Sequence, residues 1–293
     1  MNSDLTVFRS SQSQAEFEKA YRTALGLWPV PHQELYIPTR YGQTHVVACG
    51  SEGRAAIVLL HPAGCGAVIW GRNVAALSQQ FSIYAVDTIG EVNLSRTSRR
   101  VESTQGFMDW MTDLLDGLKV SQAHLIGNSF GGFLALSAAI YLPERVDRVV
   151  LISPAACFTP MWPWMLHFFP AYMSRSAKLL KWAYDWIWQG FPVESCIQQL
   201  RMITSVSGVP RHVAPKVFRD EELRRVKAPT LLLIGDHEVI YNTEQVARRA
   251  RRLVEGLQYA KVHDANHNAE YTSAAEVNEK VMGFLCGRGR AGS

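Results

Sequence analysis

The sequence predicts an α/β chain: a mostly parallel central sheet with helices on both faces and one helical, aromatic-rich insertion. Three observations predict it. From residue 55 onward, short apolar, β-rich runs alternate with helical segments. The interval 157–222 breaks that alternation and reads mainly helical. Ahead of it, Gly127-Asn128-Ser129-Phe130-Gly131 stands where a strand gives way to an apolar helix.

Taken in order, AEFEKAYRTALGLW spaces Phe17, Tyr21, Ala24, Leu25 and Trp28 at helical intervals, so the chain begins with an amphipathic helix. ELYIPTRYGQTHVVACG reads as two strands joined through a Tyr-Gly turn, a β-hairpin. AAIVLLH, SIYAVDT, AHLIGNS, VDRVVLIS, PTLLLIG and YAKVHDA follow as strands, several of them nearly continuously apolar. Such strands are buried on both faces. NVAALSQQF, QGFMDWMTDLLDGL, GGFLALSAAIYL and TEQVARRARRLVEGL supply the helices between them, and AAEVNEKVMGFL the last one. These segments divide the chain into an N-terminal helical extension (1–30), a core (31–156 and 223–288) and a helical cap (157–222).

The cap holds five of the eight tryptophans, Trp162, Trp164, Trp182, Trp186 and Trp188, with Phe158, Phe168, Phe169 and Phe191. An insertion at the C-terminal edge of a parallel sheet stands over the place where ligands bind in such folds. Some of these aromatics must pack internally, but proline-punctuated WPW and HFFP suit a curved lid. Trp162, Trp164 and Trp186 are its candidates for substrate contact.

Composition narrows the classes. With 293 residues, 47% hydrophobic and 19% charged, the chain can bury a large core. A net charge of +4 does not suggest a nucleic-acid binder, and Arg248, Arg249, Arg251 and Arg252 read as a solvated helix face. The five cysteines, Cys49, Cys65, Cys157, Cys196 and Cys286, are scattered, odd in number and without a C-x-x-C pair. They read as reduced, mostly buried thiols of a cytoplasmic protein. MNSDLTVFRSSQSQ has no apolar h-region, so no signal peptide is expected, and MWPWMLHFFPAYM is too short and proline-interrupted to span a bilayer. No metal site or cofactor motif is expected.

The chemistry starts at Ser129. A serine on a sharp strand-to-helix turn needs small residues two before and two after it, because the turn crowds those positions. Gly127 and Gly131 supply them. No G-x-G-x-x-G or Walker lysine supports a phosphate-binding turn instead. A serine nucleophile needs a base, an orienting acid and two N–H donors for the oxyanion. Phe130 supplies one donor at the helix N-terminus. The other falls in LLHPAGCG, where Pro62 has no N–H and Ala63 is the candidate. For the base, His263 lies in the apparent last strand, whereas His267 follows it on a loop of small and polar residues, so His267 is preferred. Reading H-x-x-x-H as a zinc pair fails because the two straddle a strand end. His61 borders the oxyanion loop; His45, His124, His167 and His212 read as structural. The acid lies in GDHEV, where Asp236 and Glu238 both qualify.

On these residues the chain resembles the α/β-hydrolase superfamily, and within it the lidded bacterial carboxylesterase-like members. The resemblance runs from WPVP and THVVACG through LLHPAG, AVDTIGE, GNSFGG and GDHEVI to the late histidine. It implies the chain order Ser, acid, His. In that family the acid stands three residues after the strand-ending glycine, before an apolar pair. Gly235 plus three is Glu238, followed by Val239-Ile240, so the resemblance implies Glu238, with Asp236 the alternative. Three departures stand out: His61-Pro62 for His-Gly, Asn93-Leu94-Ser95 for Gly-x-Ser, and Asn266-His267 for Gly-His.

The resulting expectation is a serine hydrolase that cleaves an ester-like bond of a small hydrophobic or aromatic acyl substrate through an acyl-enzyme. A C–C bond hydrolase or natural-product tailoring enzyme could use the same residues. A non-catalytic ligand-binding protein on this scaffold is the alternative of another class. The sequence carries no signal for oligomeric state.

Overall fold

The structure, a computed structural model, describes residues 5–174, 176–208 and 210–287. Residues 1–4 of the expected extension, Arg175 and Val209 of the expected cap and Arg288 of the expected core lie outside the described residues.

Among the described residues, nine strands form one sheet: β1 (His32–Thr39), β2 (Gly42–Gly50), β3 (Ala56–Leu60), β4 (Ser82–Val86), β5 (Arg96–Thr97), β6 (Ala123–Asn128), β7 (Val146–Ile152), β8 (Thr230–Gly235) and β9 (Gln258–Val262). Their order is β1-β2-β4-β3-β6-β7-β8-β9, with β5 beside β2. The β1–β2 hairpin and the β2–β4 and β2–β5 pairs are antiparallel; every pair from β4 to β9 is parallel. β3, β6 and β8 are buried at every position. Successive strand residues point to opposite faces, so both faces of the sheet are covered there.

The longer helices are α1 (Ser11–Leu25), α2 (Thr104–Gly117), α3 (Phe130–Tyr141), α4 (Trp162–Ser174), α5 (Ala177–Trp188), α6 (Ser195–Ser207), α7 (Thr243–Leu253) and α8 (Ala274–Leu285). Side chains of Ser10, Ser103 and Asn242 cap α1, α2 and α7 by accepting from backbone N–H groups in the first turn. Helix α3 lies over β3, β6 and β7, which explains its almost uniformly apolar sequence. Helix α1 packs along α6, and Phe8 bridges to Gly208, so the N-terminal helix braces the insertion.

Some expectations shift. NVAALSQQF forms only a one-turn helix, Val74–Leu77, after a 3₁₀ turn at Ala67–Arg72. The chain must enter β4 at Ser82, which leaves no room for more. Helix α7 stops at Leu253, and Gly256, at φ 66°, turns the chain toward β9. His263 lies just past β9, not within it. The arginine-rich face is not wholly solvated: Arg249 donates to Phe158 O and Phe218 O and pairs with Asp220. No helix among the described residues is long and apolar enough to cross a membrane.

Candidate active site

Strand β6 ends at Asn128 and α3 begins at Phe130, with Ser129 between them at φ 50°, ψ −112°. A non-glycine residue held there costs on the order of 1–3 kcal/mol. The surroundings enforce it: the Ser129 N–H donates to Ile152 O at 3.0 Å, and Ser129 O accepts from Phe133 and Ala155 N–H groups at 3.0 and 2.9 Å. A Cβ on Gly127 would fall 2.2 Å from Gly131 O, and one on Gly131 only 1.9 Å from Leu60 O. Both glycines are therefore required by contact with backbone. Ser129 is the one residue from Ala123 to Ile140 that is not buried.

Strand β8 delivers the acid loop and β9 the histidine loop. Nδ1 of His267 lies 2.8 Å from Glu238 Oε2, and both side chains are almost wholly shielded from solvent. The second Glu238 oxygen accepts from the Val239 and Ile240 amides at 2.8 and 3.0 Å. Burial alone would raise the Glu238 carboxyl, but His267 and these amides outweigh it and hold the group below the ordinary range. Asp236 faces elsewhere. Its two oxygens accept from the Asp264 and Ala265 amides at 3.1 Å each, so it shapes the loop that carries the histidine. His263 is exposed and bonds Glu276 at 2.9 Å, sharing no partner with His267.

The loop after β3 is buried from His61 to Gly66 except at Ala63, which is exposed. His61 Nε2 accepts from the Thr88 amide at 3.0 Å and its Nδ1 lies 2.7 Å from Pro62 O, so the ring holds the loop's base. The neighbouring Gly64 amide donates to Glu91 at 3.1 Å. Phe130, at the first turn of α3, is buried.

The cap tryptophans divide. Trp162 is 63% exposed. Trp164 stacks on Phe168 at 5.3 Å and Trp186 on His167 at 3.8 Å, both inside the cap. Asn266, standing where the resemblance expects glycine, donates to Trp188 O at 2.7 Å and accepts from the Asn268 amide at 2.8 Å, tying the histidine loop to the end of α5.

Four further residues stand around the site. Asn128 donates to His267 O at 2.9 Å and so links the Ser129 turn to the histidine loop. Glu91 and His212 pair beside the loop after β3. Glu270 is fully buried three residues past His267. In the sequence His212 reads as a structural histidine and Glu91 only closes AVDTIGE, and nothing there pairs the two.

Residues 57–280 match the model of the alpha/beta hydrolase family, and the chain belongs to that family. Two relatives from Bacillus subtilis are similar over nearly the whole chain. Carboxylesterase YbfK is 34% identical across 98% of this chain and 99% of its own length. The uncharacterized carboxylesterase nap is 33% identical, with 94% of each covered. The crystal structure of carboxylesterase CesB (YbfK) superposes at a TM-score of 0.88, covering 94% of this chain and 99% of that one at 34% identity.

Proposed function

We propose that the protein hydrolyses carboxylic esters of small hydrophobic or aromatic acyl groups through an acyl-enzyme on Ser129. The ester class is supported by identity of about a third to two carboxylesterases over nearly their full lengths. The observation that carries the residue assignment is the 2.8 Å bond between His267 Nδ1 and Glu238, on a loop that Asn128 ties to the strained turn holding Ser129.

In this reading His267 takes the Ser129 proton as the hydroxyl attacks the ester carbonyl. The Ala63 and Phe130 amides receive the oxyanion. His267 then protonates the leaving alcohol and activates water to release the acid, while Glu238 fixes its tautomer. Residues 157–222 act as a cap over a core of 31–156 and 223–288, and its aromatic content favours apolar acyl groups. The cytoplasm suits cysteines that are all free among the described residues.

A fluorophosphonate probe tests the nucleophile: one label per chain is expected, lost in Ser129→Ala. Absence of label, with the biological role intact in Ser129→Ala, would leave the ligand-binding alternative. Turnover of p-nitrophenyl esters of graded acyl length should exceed that of a vinylogous C–C substrate; the reverse would favour C–C hydrolysis. For the acid, Glu238→Gln should lower kcat by about 10⁴-fold, the scale seen when a triad acid loses its charge. Asp236→Asn should cost under about tenfold, since it holds loop amides and lies 3.7 Å from the exposed His237, with no bond to His267. Loss of activity confined to the Asp236 variant would overturn the assignment.

A further inference from the structure

Glu91 and His212 form a buried pair, their side chains 4% and 9% exposed. Glu91 Oε1 accepts from His212 Nε2, while Oε2 accepts from the Gly64 amide at 3.1 Å. The His212 ring stacks on Phe130 at 4.8 Å with 20° between planes, and leans on Phe107 at 5.6 Å. One pair thus touches both halves of the oxyanion site: the residue after Ala63, and the side chain of Phe130. The strand-like strap that carries His212 is pinned on each side, by the Arg211 amide on Gly90 O at 2.7 Å and the Val101 amide on Arg211 O at 2.9 Å.

The geometry also fixes a charge state. His212 Nδ1 lies 2.8 Å from Val213 O, so both ring nitrogens face oxygen acceptors. A neutral imidazole donates from one nitrogen only; two acceptors call for the imidazolium. Burial works against both charges, but each partner outweighs it in the other, holding His212 above and Glu91 below its ordinary range. His61 also faces Glu91, Arg100 opposes the charge on His212, and the nearby Cys65 thiol is pushed up to about 12 by burial and stays neutral.

We propose that Glu91 and His212 are positioning residues of the oxyanion site, Glu91 holding the Ala63–Gly64 loop and His212 cancelling the charge of Glu91 beside the developing oxyanion. This rests on the reading of Ser129, Ala63 and Phe130 given above. An uncompensated carboxylate next to that loop would repel the tetrahedral intermediate, and in a dry site such repulsion is large. As pH rises through the titration of His212, the pair goes from neutral to net negative, so turnover should fall on the alkaline side.

The test is kcat and KM against pH for a soluble p-nitrophenyl ester, with fluorophosphonate labelling in parallel, on the full chain. Wild type should show an alkaline decline in kcat. Glu91→Gln keeps an acceptor for Gly64 but removes the charge, so the decline should vanish. His212→Gln leaves the carboxylate unbalanced, and kcat should drop tenfold or more with KM changed less than threefold. The double variant should then recover kcat above His212→Gln alone, a rescue that loss of packing would not produce. Persistence of the alkaline decline in Glu91→Gln, or a double variant no better than His212→Gln, would overturn the proposal. If His212→Gln does not fold, the pH profile of Glu91→Gln decides it. Failure of wild type to label would sink the Ser129 reading instead, and is seen separately.

Discussion

Glu270 lies three residues beyond His267 with both carboxylate oxygens buried and without a hydrogen-bond partner among the described residues. Burial pushes its carboxyl up to about 8; Arg201 offsets part of that, and Glu238 adds to it. The folded state therefore holds a proton that the unfolded chain gives up near pH 4.3. Between those values the unfolded state binds fewer protons, so stability falls as pH rises from about 4 to about 8, and levels off above. Glu270→Gln, neutral at every pH, should raise the melting temperature at pH 8 and flatten its fall between pH 5 and 8. Each kcal/mol recovered is about 2–4 °C in a protein near this size. An unchanged slope in a thermal melt series would refute it. At this scale the residues alone left Asp236 and Glu238 open; the family resemblance implied Glu238, and that carboxylate bonds His267. Glu270 was invisible because nothing in AEYT announces that its acid points inward.

Among elements, the turn into α3 is the least negotiable. An added methyl on Gly131 would meet the Leu60 carbonyl, which is backbone and cannot step aside. Gly131→Ala should therefore yield little soluble protein, or protein that no fluorophosphonate labels; a folded, labelled variant would show that the turn can relax. Helix α7 does a different job. Arg249 donates to Phe158 O and Phe218 O, one near each end of the cap segment, and stacks its charge against Asp220. Charged hydrogen bonds of this kind contribute about 1.5–3 kcal/mol, so Arg249→Met should lower the melting temperature by several degrees. It should also raise KM for bulky esters more than for acetate esters, since the cap's anchorage loosens. ARRARRL looked like a solvated face because amphipathicity reports only that α7 has a polar side, not which polar group finds a carbonyl. NVAALSQQF failed for a related reason: its period is helical, but the distance to β4 is set by the sheet.

For the whole molecule, alternation of strand and helix was enough to predict the layers and the parallel run of the sheet. Which surfaces meet was not predictable, because those contacts are non-local. Helix α1 packs along α6 and also reaches the sheet, through Tyr21 against His45 and Arg22 with Glu34. The histidine loop is fastened to the cap through Asn266 and Trp188, through Arg201 and Asn268 at 2.8 Å, and through Tyr271, whose hydroxyl accepts from the Glu194 amide at 3.1 Å. In the proposed reading, a base mounted on such ties should feel movement of the cap.

The cysteines make that movement measurable. Cys286 is exposed, Cys49 is half-buried, and Cys65, Cys157 and Cys196 are buried. Cys65 belongs to the loop after β3, whose Gly64 faces the methyl of Thr204 on α6, and Arg201 of the same helix acts on its thiol. A maleimide added to the native protein should modify Cys286 first and Cys49 more slowly, leaving Cys65 untouched until α6 lifts. The Cys65 rate, read by peptide mass spectrometry, is then a clock on cap opening that needs no introduced label. It should slow when an acyl-like inhibitor is bound and quicken in Arg249→Met; a rate equal to that of Cys286 would mean the loop is never covered.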